Sequence, residues 1–201
     1  MRQKRIKNAT IETLKAGGVI TELEMIDTSS YEHVYLEIGS GKGQFITSLA
    51  KDHKDALWVA MEVNINVCYR ILEKKEALEL NNLIIILGDA NHILAYFKPQ
   101  HIDGLFLNFS DPWPKAKHHK RRLTYPSFLK QYQTILKKDA IIQFRTDHKD
   151  LFDDSLDYAR STDFELIEVN KHLEKSQYMT EYEEKKRQDG PIYQFKAREK
   201  R

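Results

Sequence analysis

Glu37-Ile38-Gly39-Ser40-Gly41-Lys42-Gly43 is the stretch on which the fold turns. It closes the apolar run that starts at Val34, and the residues after it, Phe45, Ile46, Leu49 and Ala50, recur at helical spacing. A buried strand, a glycine turn and a helix in that order open a doubly wound sheet. The alternation repeats outward. Strands are predicted over 34–38, 57–63, 83–87, 102–109 and 140–144, and helices over 44–51, 64–80, 91–97, 124 to about 137, and 148–161. Asn64 is placed to cap one helix, and Thr124 another that has Pro126 in its first turn. Two further strands are predicted over 164–169 and 192–197. The pattern predicts an α/β fold: a mostly parallel sheet with helices on both faces.

In such sheets ligands lie beyond the carboxyl ends of the strands. Glu37, Glu62, Asp89, Asp111 and Asp147 all fall near strand carboxyl ends, so one rim is expected to be acidic. The glycine turn itself fits neither common phosphate fingerprint. Gln44 stands where a dinucleotide loop needs its third glycine, and Gly43 where a phosphate loop needs Ser or Thr. An acid at Glu37 would also repel a pyrophosphate. The turn is therefore read as serving a ligand without phosphates, and S-adenosylmethionine meets the description. Its cationic end suits acids, and its ribose diol suits one carboxylate. Glu62 ends the second strand, about 20 residues past the glycines, where the ribose acid of a doubly wound fold belongs. Asp89 is placed for the adenine amino group and Glu37 for the methionine end. An ordinary tight turn is the bland alternative for a lone glycine triplet.

The chain has 201 residues, 41% hydrophobic and 31% charged, with a formal net charge of only +2. That fits one domain with a sizeable core and excludes a uniformly basic nucleic-acid coat. The positive charge is local, at Arg2, Lys4, Arg5 and Lys7, at 115–122, and at 196–201. The one cysteine, Cys68, rules out an internal disulfide and reads as a buried hydrophobe, which makes a cytoplasmic setting the expectation. No secretory signal and no membrane span are predicted, because the apolar runs are strand-length.

The second informative stretch is Asn108-Phe-Ser-Asp-Pro-Trp-Pro-Lys-Ala-Lys-His-His-Lys-Arg-Arg-Leu123. Asp111 sits beside a Pro-Trp-Pro clamp, and Lys115, Lys117, Lys120, Arg121 and Arg122 follow. A stiffly held carboxylate beside a cationic strip suits a site that reads a polar ring on a polyanion. A solvated basic loop is the bland reading. Adjacent His118 and His119 point apart and make a poor metal pair, so no metal is expected. Thr180-Glu181-Tyr182-Glu183 reads as a capping box that opens a short helix.

These motifs, with Met61-Glu62-Val63, Gly88-Asp89-Ala90 and Arg145-Thr146-Asp147 in this order, closely resemble the bacterial tRNA (guanine-N7)-methyltransferases, the TrmB family. The resemblance runs from about Leu36 to Phe195. It implies a Rossmann-like class I S-adenosylmethionine-dependent methyltransferase fold, with a seven-stranded sheet whose last strand is antiparallel. Residues 1–30 would then be a basic, partly helical extension before a methyltransferase domain at 31–201. The implied reaction is methyl transfer to N7 of guanine 46 in the tRNA variable loop. The implied cofactor residues are Glu37, Gly39, Gly41, Gly43, Glu62, Asp89 and Asp111, with Asp111 also catalytic. Lys115, Asp147 and Thr180, Glu181, Tyr182 and Glu183 become substrate contacts. Lys117, His118, His119, Lys120, Arg121 and Arg122 become RNA contacts. The partner is tRNA, and a monomer or homodimer is expected. Two other readings compete. A methyltransferase of exocyclic base amines would carry an Asn/Asp-Pro-Pro-aromatic motif, which the order Asp111-Pro112-Trp113-Pro114 does not match. A non-catalytic RNA-binding scaffold would have lost the ribose acid.

Overall fold

Seven strands form a single sheet among residues 6–200, the residues that the computed structural model describes. Arg2, Lys4, Arg5 and Arg201 lie outside them. The strands are β1 (His33–Ile38), β2 (Ala56–Glu62), β3 (Leu83–Leu87), β4 (Ile102–Asn108), β5 (Leu136–Thr146), β6 (Phe164–Asn170) and β7 (Tyr193–Glu199). Their order is β3-β2-β1-β4-β5-β7-β6. β1 through β5 pair in parallel, and β7 runs antiparallel to both β5 and β6. The expected antiparallel last strand is present.

The helices are α1 (Ile11–Ala16), α2 (Gln44–Asp52), α3 (Ile65–Ala77), α4 (Pro126–Ile135), α5 (Lys149–Arg160) and α6 (Glu181–Lys186). β2 shows why they must cover both faces, since every one of its residues is buried. Leu57, Val59 and Met61 join one core with Phe128 of α4 and Phe152 of α5. Trp58 and Ala60, alternating with them, join a second core with Phe45 of α2 and Ile71 of α3. Cys68 lies in that second core, and burial pushes its thiol up to about 12. It is the inert small hydrophobe expected.

Several boundaries differ from the sequence reading, each for a local reason. Asn64 caps α3 as expected, accepting from the N–H groups of Asn66 and Val67. Thr124 does not cap α4. Its hydroxyl pairs at 2.6 Å with that of Ser155 on α5, and Tyr125 takes the cap position without a side-chain bond. β5 begins at Leu136, earlier than predicted, because a register shift lets Leu136 pair with Ile102 ahead of the main ladder. The segment after β3 is a 3-10 helix, Ala90–Ala95, capped by Asp89. From Ile6 onward the first thirty residues pack on the domain. Leu14 and Val19 enter the second core, and Ile20 bridges in parallel to Ile86 beside β3. No helix among the described residues is long and apolar enough to cross a membrane.

Strand order reverses at β1, which leads to β2 on one side and has β4 on the other. The glycine turn after β1 and the Asn108–Leu123 segment after β4 therefore face one another across the switch point of the sheet.

Candidate active site

At that switch point a cleft of about 920 Å³ opens at the carboxyl rim. Gly39, Gly41, Glu62, Asp89, Asp111, Trp113, Lys120 and Arg121 are among the residues that line it. A smaller cavity of about 490 Å³ lies on the other side of the glycine turn, bounded by 39–44, Asn108, Phe109 and 180–182. Phe109 and Tyr182 border both, with ring centroids 5.3 Å apart.

The glycine turn is built for close approach. Gly41 has φ +54, and a Cβ placed there would meet nothing within 4 Å. Its backbone is thus exposed for a ligand to press against, in a conformation that L side chains rarely adopt. Gly43 serves a different purpose. It caps α2 in the left-handed region at φ +79, and a Cβ there would press on Ile71 at 3.0 Å. It borders only the smaller cavity.

Glu62 ends β2 with both carboxylate oxygens anchored. One accepts from Gly41 N at 3.0 Å and the other from Asn64 N at 2.9 Å. Each oxygen keeps a lone pair, so the pair can still receive two hydroxyls. The bond to Gly41 also occupies the amide that a phosphate loop would offer its phosphate. Asp89 accepts from the backbone and side chain of Asn91. Asp111 is exposed on the cleft lip.

Glu37 stands apart from the other acids. It was expected at the methionine end of the cofactor, directly or through water, but it is 0% exposed and lines neither cavity. One of its oxygens accepts from Asn108 Nδ2 at 2.8 Å, and Asn108 is the residue that borders the smaller cavity. Any action of Glu37 on a bound ligand runs through Asn108 or through space. Burial pushes its carboxyl up to about 8. Bonds from Asn108 and Ser40 oppose that rise, the charge of Glu62 adds to it, and Arg145 opposes it. Burial also raises Glu62, whose backbone bonds oppose the shift while Asp111 adds to it. Burial holds both carboxyls above the ordinary range, with neighbouring acids adding to it, and a cation beside Glu62 in the cleft would favour its charged form. The donor set thus fits S-adenosylmethionine: paired acceptors for a diol, a bare backbone turn and a site that favours positive charge.

The Glu37 shift carries a stability consequence. Its folded pKa of about 8 exceeds the ordinary 4.5, so the folded chain holds the extra proton between those values. Its contribution is complete below pH 4.5 and is lost as pH rises toward 8. Glu37→Gln is expected to flatten this part of the stability profile of the ligand-free protein. Urea unfolding at intervals across that window would show it, and an unchanged slope would place the titration elsewhere.

The loop after β4 is strained. Phe109 and Trp113 adopt φ +54 and +41. Non-glycine residues held in that region concentrate at functional sites. The Lys-His-His-Lys-Arg run that follows is a 3-10 helix, Ala116–Arg121, and a three-residue period divides the basic strip among three faces. Lys117 and Lys120 point to solvent. His118 stacks on Trp113, and Arg121 lies 4.8 Å over the same ring. His119 and Arg122 turn inward to α5. Arg122, expected to contact RNA, is 3% exposed and bonded to Asp154 at 2.5 Å. His119 approaches both Arg122 and Tyr158. Lys115 is exposed at the head of the turn.

The 180–183 segment is corrected in the same way. Thr180 caps α6, accepting from Glu183 N. Glu183 does not complete the box and does not face a substrate. It is 0% exposed, with its carboxylate between Arg145 at 3.2 Å and Arg187 at 2.6 Å. Glu181 bridges Lys42 and Lys74. Thr180 and Glu181 border the smaller cavity, and Tyr182, the most exposed of the four, borders both; its hydroxyl donates to Asp147 at 3.1 Å. Arg145 was assigned no role from sequence. It is the hub here, also donating to Gln194 and to Tyr178 O. An arginine directly after Ile141-Ile142-Gln143-Phe144 was its signal, because a charge in a buried strand needs an internal partner. Among the described residues no group of three or more His, Cys, Asp or Glu could hold a metal ion.

Known proteins share both sequence and fold. A family model described as "Putative methyltransferase" matches residues 31–195. The chain is 49% identical over 170 residues to the tRNA (guanine-N(7)-)-methyltransferase of Lacticaseibacillus casei, covering 82% of this chain and 79% of that one. It is 44% identical to the enzyme of the same name from Lachnoclostridium phytofermentans, with the same coverage. Among solved structures, the 16S rRNA methyltransferase KamB superposes with a TM-score of 0.66 at 15% identity, over 98% of this chain and 97% of that one. An antibiotic-related methyltransferase gives 0.64 at 16% identity, over 96% and 97%. That degree of structural likeness establishes the class I methyltransferase fold, and the sequence relationship goes further: the chain belongs to the tRNA (guanine-N(7)-)-methyltransferase family.

Proposed function

We propose that the protein methylates N7 of a guanine in tRNA, at position 46 of the variable loop, using S-adenosylmethionine. One observation carries the reading: the acids Glu62 and Asp89, the lip acid Asp111 and the cations Lys120 and Arg121 all line one cleft. When bound there, S-adenosylmethionine supplies an electrophilic methyl group on a cationic sulfur.

The chain's own residues then have three tasks. Glu62 accepts the ribose hydroxyls and Asp89 the adenine amino group, which sets the donor in place against the bare turn at Gly39 and Gly41. Lys115, Lys117, Lys120 and Arg121 meet phosphates, while Trp113 and Tyr182 present rings beside the base. Asp111 faces the guanine. N7 already carries its lone pair, so no general base is needed and catalysis is largely alignment. Positive charge spreads over the guanine ring during transfer, and a carboxylate near N1 or the exocyclic amine stabilises it. Asp147, held by the Tyr182 hydroxyl, is the second such acid.

The test is to incubate the protein with labelled S-adenosylmethionine and unmodified tRNA, digest to nucleosides and map the label. Label in 7-methylguanosine of the variable loop is the expected result. Label on an exocyclic amine would favour the competing enzyme class. In the same assay Asp111→Ala is expected to lower turnover by at least about 100-fold. Its circular dichroism should match the parent, because the side chain is exposed and bears no packing. A folded, active Asp111→Ala protein would remove Asp111 from the reaction.

A further inference from the structure

Arg122 ends the basic run but shares nothing with its neighbours' exposure. A guanidinium has five N–H donors, and every nitrogen of this one is engaged inside the protein. Nε donates to Pro112 O at 2.7 Å. Nη1 donates to Asp154 at 2.5 Å and to the Tyr158 hydroxyl at 3.3 Å. Nη2 reaches Trp113 O at 3.5 Å and His119 Nε2 at 2.9 Å. His119 must therefore present the lone pair of Nε2, with its proton on Nδ1 toward Tyr158. No donor is left for a phosphate.

The partners matter as much as the count. Pro112 and Trp113 directly follow Asp111, and Trp113 is the residue held at φ +41. Clamping two successive carbonyls fixes the peptide planes on both sides of Trp113, and with them the backbone onto which Asp111 leads. Asp154 and Tyr158 lie on α5, the helix that follows Asp147. The fork thus ties the loop bearing one site acid to the element that follows the other. A lysine could supply the charge but not the planar fork.

We propose that Arg122 is a positioning residue, a strut from α5 that holds the Asp111-Pro112-Trp113 loop in its working geometry. The proposal deepens the proposed activity and rests on it. Arg122→Lys separates it from an RNA contact. A phosphate contact would tolerate lysine. As a strut, Arg122→Lys should lower kcat about tenfold or more, since small misplacements at a reacting centre are costly. KM for tRNA should stay within about threefold, and its salt dependence, which counts phosphate contacts, should not change.

A readout free of activity accompanies it. Limited trypsin digestion, mapped by mass, should cut faster after Lys115 and Lys117 in Arg122→Lys than in the parent. If Arg122→Lys does not fold, Asp154→Asn serves instead, with the same faster cleavage and a smaller loss of kcat expected. Parent-like kcat and parent-like cleavage in the folded variant would overturn the strut, as would a raised KM with a shallower salt slope. If the parent methylates no tRNA, the activity fails, and the digestion alone decides the strut.

Discussion

Glu62→Ala is expected to abolish detectable binding of S-adenosylmethionine. The carboxylate is pinned by Gly41 N and Asn64 N, which leaves one free lone pair on each oxygen for a ribose hydroxyl. Hydrogen bonds to a charged group contribute about 1.5–3 kcal/mol each. Losing two corresponds to about 3–6 kcal/mol, or about 10²–10⁴ in Kd. Glu62→Gln should do little better. Its amide would have to point an N–H at one of the two backbone N–H groups, which the carboxylate now accepts. Isothermal titration with S-adenosylmethionine measures both variants. Binding within a few-fold of the parent would take the ribose role from Glu62. The fold should survive, because burial already raises the pKa of this group, so its ionised form is not a stabilising one.

The largest stability effect is expected from Glu183→Ala. The carboxylate is buried between Arg145 and Arg187, and Arg145 is itself buried. Desolvation lowers the pKa of Arg145, and Glu183 is the main group that opposes the shift. Removing one partner of a buried pair costs about 3–5 kcal/mol, because the other charge is left uncompensated. The loss should appear as a lower urea midpoint with little change in slope. Function should fall with it. Arg145 ties α6 to β5 through Glu183, and Arg187 ties its end to Leu173 O and Glu174 O; a loosened α6 would move Tyr182 away from Phe109 and from Asp147. Glu181→Ala is the control. Its bridges to Lys42 and Lys74 are at the surface, where such pairs contribute about 0–1 kcal/mol. Equal midpoints for Glu183→Ala and the parent would show that α6 is held by something else.

The antiparallel end of the sheet was implied only by the family resemblance, but the strand–helix alternation and the acidic rim were legible in the residues themselves. They rest on period-two and helical spacing and on where strands stop, which are local properties. What was not legible is how a run of like residues is shared out. The basic strip was read as one surface. A three-residue helical period sends Lys117 and Lys120 outward, sets His118 and Arg121 on Trp113, turns His119 toward α5 and leaves Arg122 buried beside it. The Thr180–Glu183 segment was read as one contact set, yet Glu183 turns inward to Arg145 and Arg187 and lines neither cavity. Charge at a position is a fact of sequence, but whether it meets solvent or an internal partner depends on residues such as Asp154, 32 positions from Arg122.

The sequence alone determined the class of fold, the ligand-bearing rim and the acids on it, because backbone periodicity and strand ends are set by neighbours a few residues apart. Only the tertiary structure decided which charges reach a ligand and which hold the site in shape. Arg122, Arg145, Glu183 and Glu37 each take their role from a partner brought in by another element. Burial of a charge is permitted only where that distant partner lies.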